Sequence, residues 1–368
     1  MMTHKKAKKL RSGFTTGTAA AAATKGALMM LLDGRAPGHV TLRLLTGDAI
    51  RIRIHTCKRI DDRTAQCSII KDAGDDPDIT HGAEIGAKVR FSDHMGEKPL
   101  AIFGGKGVGK VTKPGLGIPV GESSITEGPR KMIAEAVQEV LERRRVKGSV
   151  SSEVFVPDGL NLAKKTLNAR LGILGGISIL GTTGVVRPIS HEAYIATIDA
   201  ALSVARASGL DRVVLTTGRR GERFSQKWWK HLPEEAFIQI GDFFKMSLTR
   251  AAEKGFEKAS ITVFFGKAVK MAQGVPHTHA AKSNLTLERL SQWALELTGN
   301  EDLARRIAAA NTARHALEFI LPEFPEVVGR VGEEMVKSAR RFAGPGLQIQ
   351  GVIYGFDGDR IFDSERKG

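Results

Sequence analysis

Short apolar segments alternate with helical ones between residues 212 and 264, and this constrains the fold of the chain more than any other feature. Arg212 to Leu215, Ala236 to Ile240 and Ser260 to Phe264 are short and rich in Val, Ile and Phe, as buried strands are. Between them, Phe224 to His231 and Phe243 to Lys254 read as helices. Strand, helix and strand in succession give parallel strands with helices on the sheet faces, because a tight hairpin cannot join parallel neighbours. Val154 to Val156 and Gly176 to Leu180 read as earlier buried strands, and His191 to Ala207 as an amphipathic helix. Helices dominate from Leu285 to Phe342, and Leu347 to Tyr354 is a closing strand.

The first 149 residues have a different texture. Thr15, Thr16, Gly17 and Thr18 set hydroxyls before the alanine-rich run Ala19 to Leu32, a helix that Asp33 and Gly34 end. His39 to Leu45 and Ala49 to His55 flank Thr46-Gly47-Asp48 as a hairpin. Gln66 to Lys71, Lys88 to Phe91 and Leu100 to Phe103 add strands, and Pro129 to Arg145 is a helix with proline at its start and a basic last turn. At 368 residues the chain is longer than one core usually serves. The expected architecture is two domains: an α+β domain over residues 1–149, and a Rossmann-like α/β domain with a mostly parallel sheet over residues 150–368.

Lysine and arginine number 55 against 40 acidic residues, an excess of 15 that favours an anionic partner. The two cysteines, Cys57 and Cys67, are too few for a zinc site or a disulfide framework and read as reduced thiols. The basic start MMTHKKAKKLR is like a signal-peptide n-region, but Lys25 and Gly26 interrupt the apolar run behind it and no cleavage site follows. That run is also too short to span a bilayer. The expectation is a cytoplasmic protein with no membrane partner.

Lys71 to Thr80, KDAGDDPDIT, packs four aspartates into ten residues, where they repel one another unless something is gained by keeping them. Counted from Asp72, the twelfth residue is Ala83 and not the glutamate that closes a calcium loop, so no metal site is expected. A turn that binds its own amides and a substrate or catalytic contact both remain. Gly104 to Lys110, GGKGVGK, matches the start of a phosphate loop, but Val111 replaces its serine or threonine and prolines follow instead of a helix. A basic loop for substrate carboxylates is the better functional reading. Gly172 to Gly184, GILGGISILGTTG, sets glycines on both sides of a short strand, where amides can approach a cofactor. Thr216-Thr217-Gly218 and Gly241-Asp242 follow later strands, and Asp242 suits either ribose hydroxyls or the cap of the next helix. His277 and His279 lie on a turn with no third metal ligand evident.

Taken together, these stretches resemble the CbiD family. The resemblance runs through RSGFTTGTAAAAA from Arg11, KDAGDDPDIT from Lys71, GKGVGKVTKPGLGIPVGE from Gly105, PRKMI from Pro129, TLNARLGILGGISILGTTGVVRP from Thr166, and GKAVKMAQGVPHTHAAKS from Gly266. Ala19 stands where the family usually has a cysteine, which argues against a thiol nucleophile. The resemblance implies methylation of carbon C-1 of cobalt-precorrin-5B by S-adenosyl-L-methionine in anaerobic cobalamin biosynthesis. On that basis Asp72, Asp75, Asp76 and Asp78 are the candidates for stabilising positive charge that develops on the macrocycle. Gly175, Gly176, Gly181, Thr182, Thr183, Gly184, Thr217, Gly218 and Asp242 are expected at the methyl donor. Thr15, Thr16, Lys106, Lys110, Arg130, Lys131, Arg170, His277 and His279 are expected at the anionic, cobalt-containing tetrapyrrole, the basic ones as carboxylate partners. Homo-oligomerisation is left open. A non-catalytic tetrapyrrole-binding protein and a basic RNA-binding protein are the alternatives; neither would bind S-adenosyl-L-methionine, and the few tyrosines and tryptophans count against RNA.

Overall fold

The computed structural model describes residues 10–94, 98–188, 190–279 and 283–366, so most of the basic start lies outside the described residues. The chain divides into two compact units, Met1–His191 and Glu192–Gly368.

The first unit opens with β1 (Gly13–Phe14) and α1 (Thr16–Asp33), followed by β2 (His39–Arg43), β3 (Ala49–Arg53), β4 (Thr56–Asp61), β5 (Thr64–Ile70), β6 (Glu84–Ser92) and β7 (Leu100–Gly104). After the short β8 (Gly107–Val108) and β9 (Lys110–Val111) come α2 (Glu127–Arg144), β10 (Ser149–Phe155) and α3 (Gly159–Ala163). Three two-residue strands follow, β11 (Ile173–Leu174), β12 (Gly176–Ile177) and β13 (Val185–Val186). The main sheet has the order β4-β5-β6-β10-β7, and β2 and β3 form a separate antiparallel ribbon. Helix α1 lies against this sheet and α2; Ala19 to Ala23 and Ala27 are fully buried, since small side chains let the helix approach closely. Thr15 caps it by accepting from the Thr18 amide, and Gly34 ends it in the left-handed region, as the sequence predicts.

The second unit is built from α4 (His191–Ala207), β14 (Arg212–Thr216), α5 (Arg219–Trp228), β15 (Phe237–Gln239), α6 (Phe244–Glu253), β16 (Lys258–Phe264) and α7 (Phe265–Ala272). It continues through α8 (Ser283–Thr298), α9 (Glu301–Ala308), α10 (Ala313–Glu323), α11 (Pro325–Ala343), β17 (Gln348–Tyr354) and β18 (Arg360–Asp363). Its sheet runs β15-β14-β16-β17-β18; the first four strands are parallel and β18 is antiparallel. The chain is thus a mixed α/β protein. Among the described residues no helix is long and apolar enough to cross a membrane.

Two expectations are corrected. The division falls after His191 and not near residue 150, because β10 inserts into the first sheet, antiparallel to β6 and parallel to β7. The glycine-rich Gly172 to Gly184 therefore belongs to the first unit, where β12 pairs with β8 and β11 with β9. Cys57 and Cys67, expected as separate thiols, are directly opposed across β4 and β5 with Cα atoms 4.0 Å apart, which brings their sulfur atoms together. Ten residues of separation did not reveal that the two fall on facing arms of one hairpin.

Candidate functional site

The acidic turn is held by charges of its own. Lys71, only 1% exposed, puts its Nζ 2.6 Å from Asp78, whose other oxygen accepts from the Thr80 amide at 2.7 Å and the Thr80 hydroxyl at 2.6 Å. Burial works against the charge on Asp78, but these bonds outweigh it and hold its carboxyl below the ordinary range. Asp72 takes both guanidinium nitrogens of Arg11 and the Gly74 amide, and Arg11 is the main reason its carboxyl also lies low. One oxygen of Asp75 accepts from the Arg11 amide at 2.7 Å. Gly74 is at φ 69°, and a Cβ there would sit 2.1 Å from the Arg11 carbonyl oxygen, so glycine lets the turn dock on this segment. Of the four aspartates, Asp75 is the exposed one and Asp76 is half-buried.

The threonines expected to meet substrate hold a loop. Thr16 Oγ1 accepts from the Leu180 amide at 2.9 Å, the Gly17 amide donates to the Leu180 carbonyl at 3.1 Å, and the Thr15 amide donates to the Gly184 carbonyl at 3.0 Å. A Cβ on Gly181 would meet the Thr15 hydroxyl at 2.4 Å. A Cβ on Gly176 would sit 2.1 Å from the Gly107 carbonyl oxygen, and one on Gly184 2.9 Å from Leu44. These glycines serve close packing, whereas Gly175, Thr182 and Thr183 are exposed. Among the expected carboxylate partners, Lys106, Lys110 and Lys131 are exposed, and Lys131 lies 3.9 Å from Glu135. Arg170 is half-buried. Arg130 is engaged: its guanidinium donates to the Ile125 carbonyl at 3.0 Å and the Ile102 carbonyl at 3.1 Å, and lies 3.6 Å from Glu122.

In the second unit the expected residues gather at the carboxyl ends of the parallel strands. The strand order reverses between β14 and β16, and open parallel sheets bind ligands outside the carboxyl ends at such a point. Thr217 and Gly218 follow β14, and no heavy atom lies within 4 Å of where a Cβ on Gly218 would be. Thr216, fully buried at the end of that strand, has a hydroxyl with no hydrogen-bond partner among the described residues. Asp242 does not cap α6; its Oδ1 takes Lys267 Nζ at 3.0 Å and the Thr278 hydroxyl at 3.0 Å, which leaves Oδ2 open. Burial raises the Asp242 carboxyl, but the bonds to Lys267 and Thr278 lower it further, so the net shift is downward. The Thr278 amide also donates to the Asp242 carbonyl at 2.9 Å, which brings the His277 and His279 turn to this strand end. The His277 ring packs edge-on against Phe243, centroids 4.8 Å apart.

Lys267 was not singled out from sequence; its signal was its place two residues into the helix after a buried strand. The sequence also missed a cationic and aromatic cluster at the same sheet edge. Arg220 stacks 4.1 Å from the ring centre of Phe356 and 5.3 Å from that of Phe264, and Arg314 lies 4.0 Å from Phe356. Beneath it, Ser225 Oγ is 2.9 Å from Thr262 Oγ1 and 3.2 Å from the Tyr354 hydroxyl, which burial pushes up to about 12. An open cavity of about 700 Å³ lies at the other end of the sheet, by Arg340, Gln348 and Glu365, where parallel strands do not present their ligand sites. Among the described residues no group of three or more His, Cys, Asp or Glu side chains is placed to hold a metal ion.

The family model for CbiD matches residues 3–188, and that for the CbiD C-terminal domain matches residues 277–365. A cobalt-precorrin-5B C(1)-methyltransferase from Priestia megaterium is 41% identical over 365 residues, covering 99% of this chain and 98% of its own. Another, from Pelobacter propionicus, is 47% identical over 337 residues, covering 83% and 84%. The crystal structure of a cobalamin biosynthesis protein from Archaeoglobus fulgidus is 27% identical, covers 68% of this chain and 76% of its own, and has a TM-score of 0.39.

Proposed function

The chain belongs to the CbiD family, and on that premise we propose that it methylates carbon C-1 of cobalt-precorrin-5B with S-adenosyl-L-methionine, giving cobalt-precorrin-6A in cobalamin biosynthesis. The observation that carries this reading is a likeness extending over 99% of the chain to a relative that bears that activity in its name.

The reading takes the parallel part of the second sheet as a Rossmann-like platform for the donor. Its residues fit an adenosine: Gly218, next to Thr217, leaves open space where the backbone can approach a ligand, and the open Oδ2 of Asp242 can accept from ribose hydroxyls. Bound there, S-adenosyl-L-methionine supplies an electrophilic methyl group on a sulfonium. Lys267 balances Asp242, which keeps an unneutralised carboxylate from favouring the sulfonium ground state over a transition state in which that charge is fading. Gly175, Thr182 and Thr183 remain further candidates for the donor.

For the acceptor, Lys106, Lys110, Lys131 and Arg170 are proposed partners of its carboxylates, and Asp75 with Asp76 the groups that stabilise positive charge on the macrocycle. Asp72 and Asp78 act through them as positioning residues, since Arg11 and Lys71 already engage their oxygens. The test is calorimetric binding of S-adenosyl-L-methionine together with a methylation assay. Asp242→Ala is expected to weaken donor binding about tenfold, the equivalent of one charge-assisted hydrogen bond. Asp75→Asn combined with Asp76→Asn should lower the methylation rate with donor affinity unchanged. Absence of donor binding by the wild-type protein overturns the reading.

A further inference from the structure

The β2–β3 ribbon carries cations that the fold does not use. In register, His39 faces Arg53, Thr41 faces Arg51 and Arg43 faces Ala49. All six of these side chains are exposed, while Val40, Leu42 and Ile52 between them are buried in the first unit's core, so the arginines share one outward face. Arg51 and Arg53, two residues apart on one strand, stand about 7 Å from each other, and Arg43 lies diagonally from Arg51 at about 7–8 Å. None of the three makes an ion pair or a side-chain hydrogen bond with any described residue. Asp48, the acidic residue of the hairpin turn, accepts from the Thr46 hydroxyl, and Glu139 pairs with Lys25, whose ammonium also donates to the Thr41 carbonyl. Like charges crowded on one sheet face are destabilising, so this arrangement is not explained by stability.

We propose that this face, through Arg43, Arg51 and Arg53, is a docking site for the carboxylate arms of a tetrapyrrole. The proposal rests on the methyltransferase reading for the identity of its ligand. Guanidinium groups match carboxylates in a bidentate fork, and a rigid ribbon presents three of them at spacings that suit several arms of one flat molecule. Nucleic acid fits less well, because the face has no Phe, Tyr or Trp on which a base could stack, His39 being its one aromatic ring, and is too short to track a strand. The position also suits the reaction. Beyond Arg43, Leu45, on the same side of the strand, lies against Gly128, so the face runs toward the start of α2, which carries Lys131.

The experiment is fluorescence titration of the full chain with uroporphyrin, whose rim bears carboxylates, at several salt concentrations, beside a single-stranded oligonucleotide. Arg43→Gln, Arg51→Gln and Arg53→Gln together are expected to weaken uroporphyrin binding at least tenfold and to flatten its salt dependence, with the unfolding midpoint retained. A control with Lys98→Gln, Lys147→Gln and Lys164→Gln removes the same charge elsewhere in the unit and should bind like wild type. Unchanged affinity in the arginine variant overturns the proposal, as does equal weakening in both variants, or weakening confined to the oligonucleotide. Donor binding, measured in parallel, separates the two readings. Loss of uroporphyrin in the arginine variant of a protein that binds no donor leaves the docking face standing and removes the methyltransferase. A wild-type enzyme that methylates with KM unaltered by the arginine substitutions removes the docking face alone.

Discussion

The acidic turn and the arginine face of the β2–β3 ribbon lie in the same unit and treat charge in opposite ways. In the turn, Lys71 and Arg11 are matched to Asp78 and Asp72, and hydrogen bonds from Thr80 and Gly74 complete the set. On the ribbon, three arginines face outward with no ion pair among the described residues. The more conspicuous cluster in sequence is thus mostly architecture, and the less conspicuous one is available to a ligand. Charge density along a chain does not say whether the charge is already compensated; the contacts made across the fold do.

The sharpest way to break that comparison is Asp78→Ala, which strands the buried Lys71 ammonium and should cost about 3 kcal/mol in urea unfolding. A loss near zero would mean that the turn is not held by this pair. The same pairing predicts a pH signature. The carboxyls of Asp72 and Asp78 are held below their unfolded values, so their contribution is complete above an ordinary aspartate pKa of about 4 and disappears as pH falls through the folded values. The stability gap between wild type and Asp78→Ala should therefore hold at neutral pH and narrow only below about pH 5, as pH falls toward the folded Asp78 value. Arg11→Ala should cost clearly less than Asp78→Ala in the same urea unfolding, because Arg11 and Asp72 are both substantially exposed and solvent screens the pair. Smallest of all, Arg51→Gln should shift the unfolding midpoint by no more than about 0.5 kcal/mol in either direction, since nothing in the fold leans on it. A loss as large as that of Asp78→Ala would erase the contrast.

Features set by neighbours in sequence were legible beforehand. The cap at Thr15, the alanine helix, the 39–53 hairpin and the parallel alternation of the second unit all rest on periodicity or turn chemistry within a few residues. Long-range pairing was not. Ser149–Phe155 looked like the start of a new domain because nothing local shows that it lies between β6 and β7. Gly176, Gly181 and Gly184 looked like a cofactor cradle, since a glycine kept for close approach reads the same whether the approaching atom belongs to a ligand or to Gly107, Thr15 or Leu44. Asp242 was singled out from the sequence, but the Lys267 that pairs with it, 25 residues later, was not.

Sequence alone determined the helical and extended segments, the positive charge of the molecule and the blocks it shares with its family. Tertiary structure decided where the units divide, which aspartates and arginines are already neutralised, and that the His277 turn meets Asp242. Local conformation follows from dihedral preference and side-chain period, whereas the use of a charge depends on which distant group the fold brings within hydrogen-bonding distance.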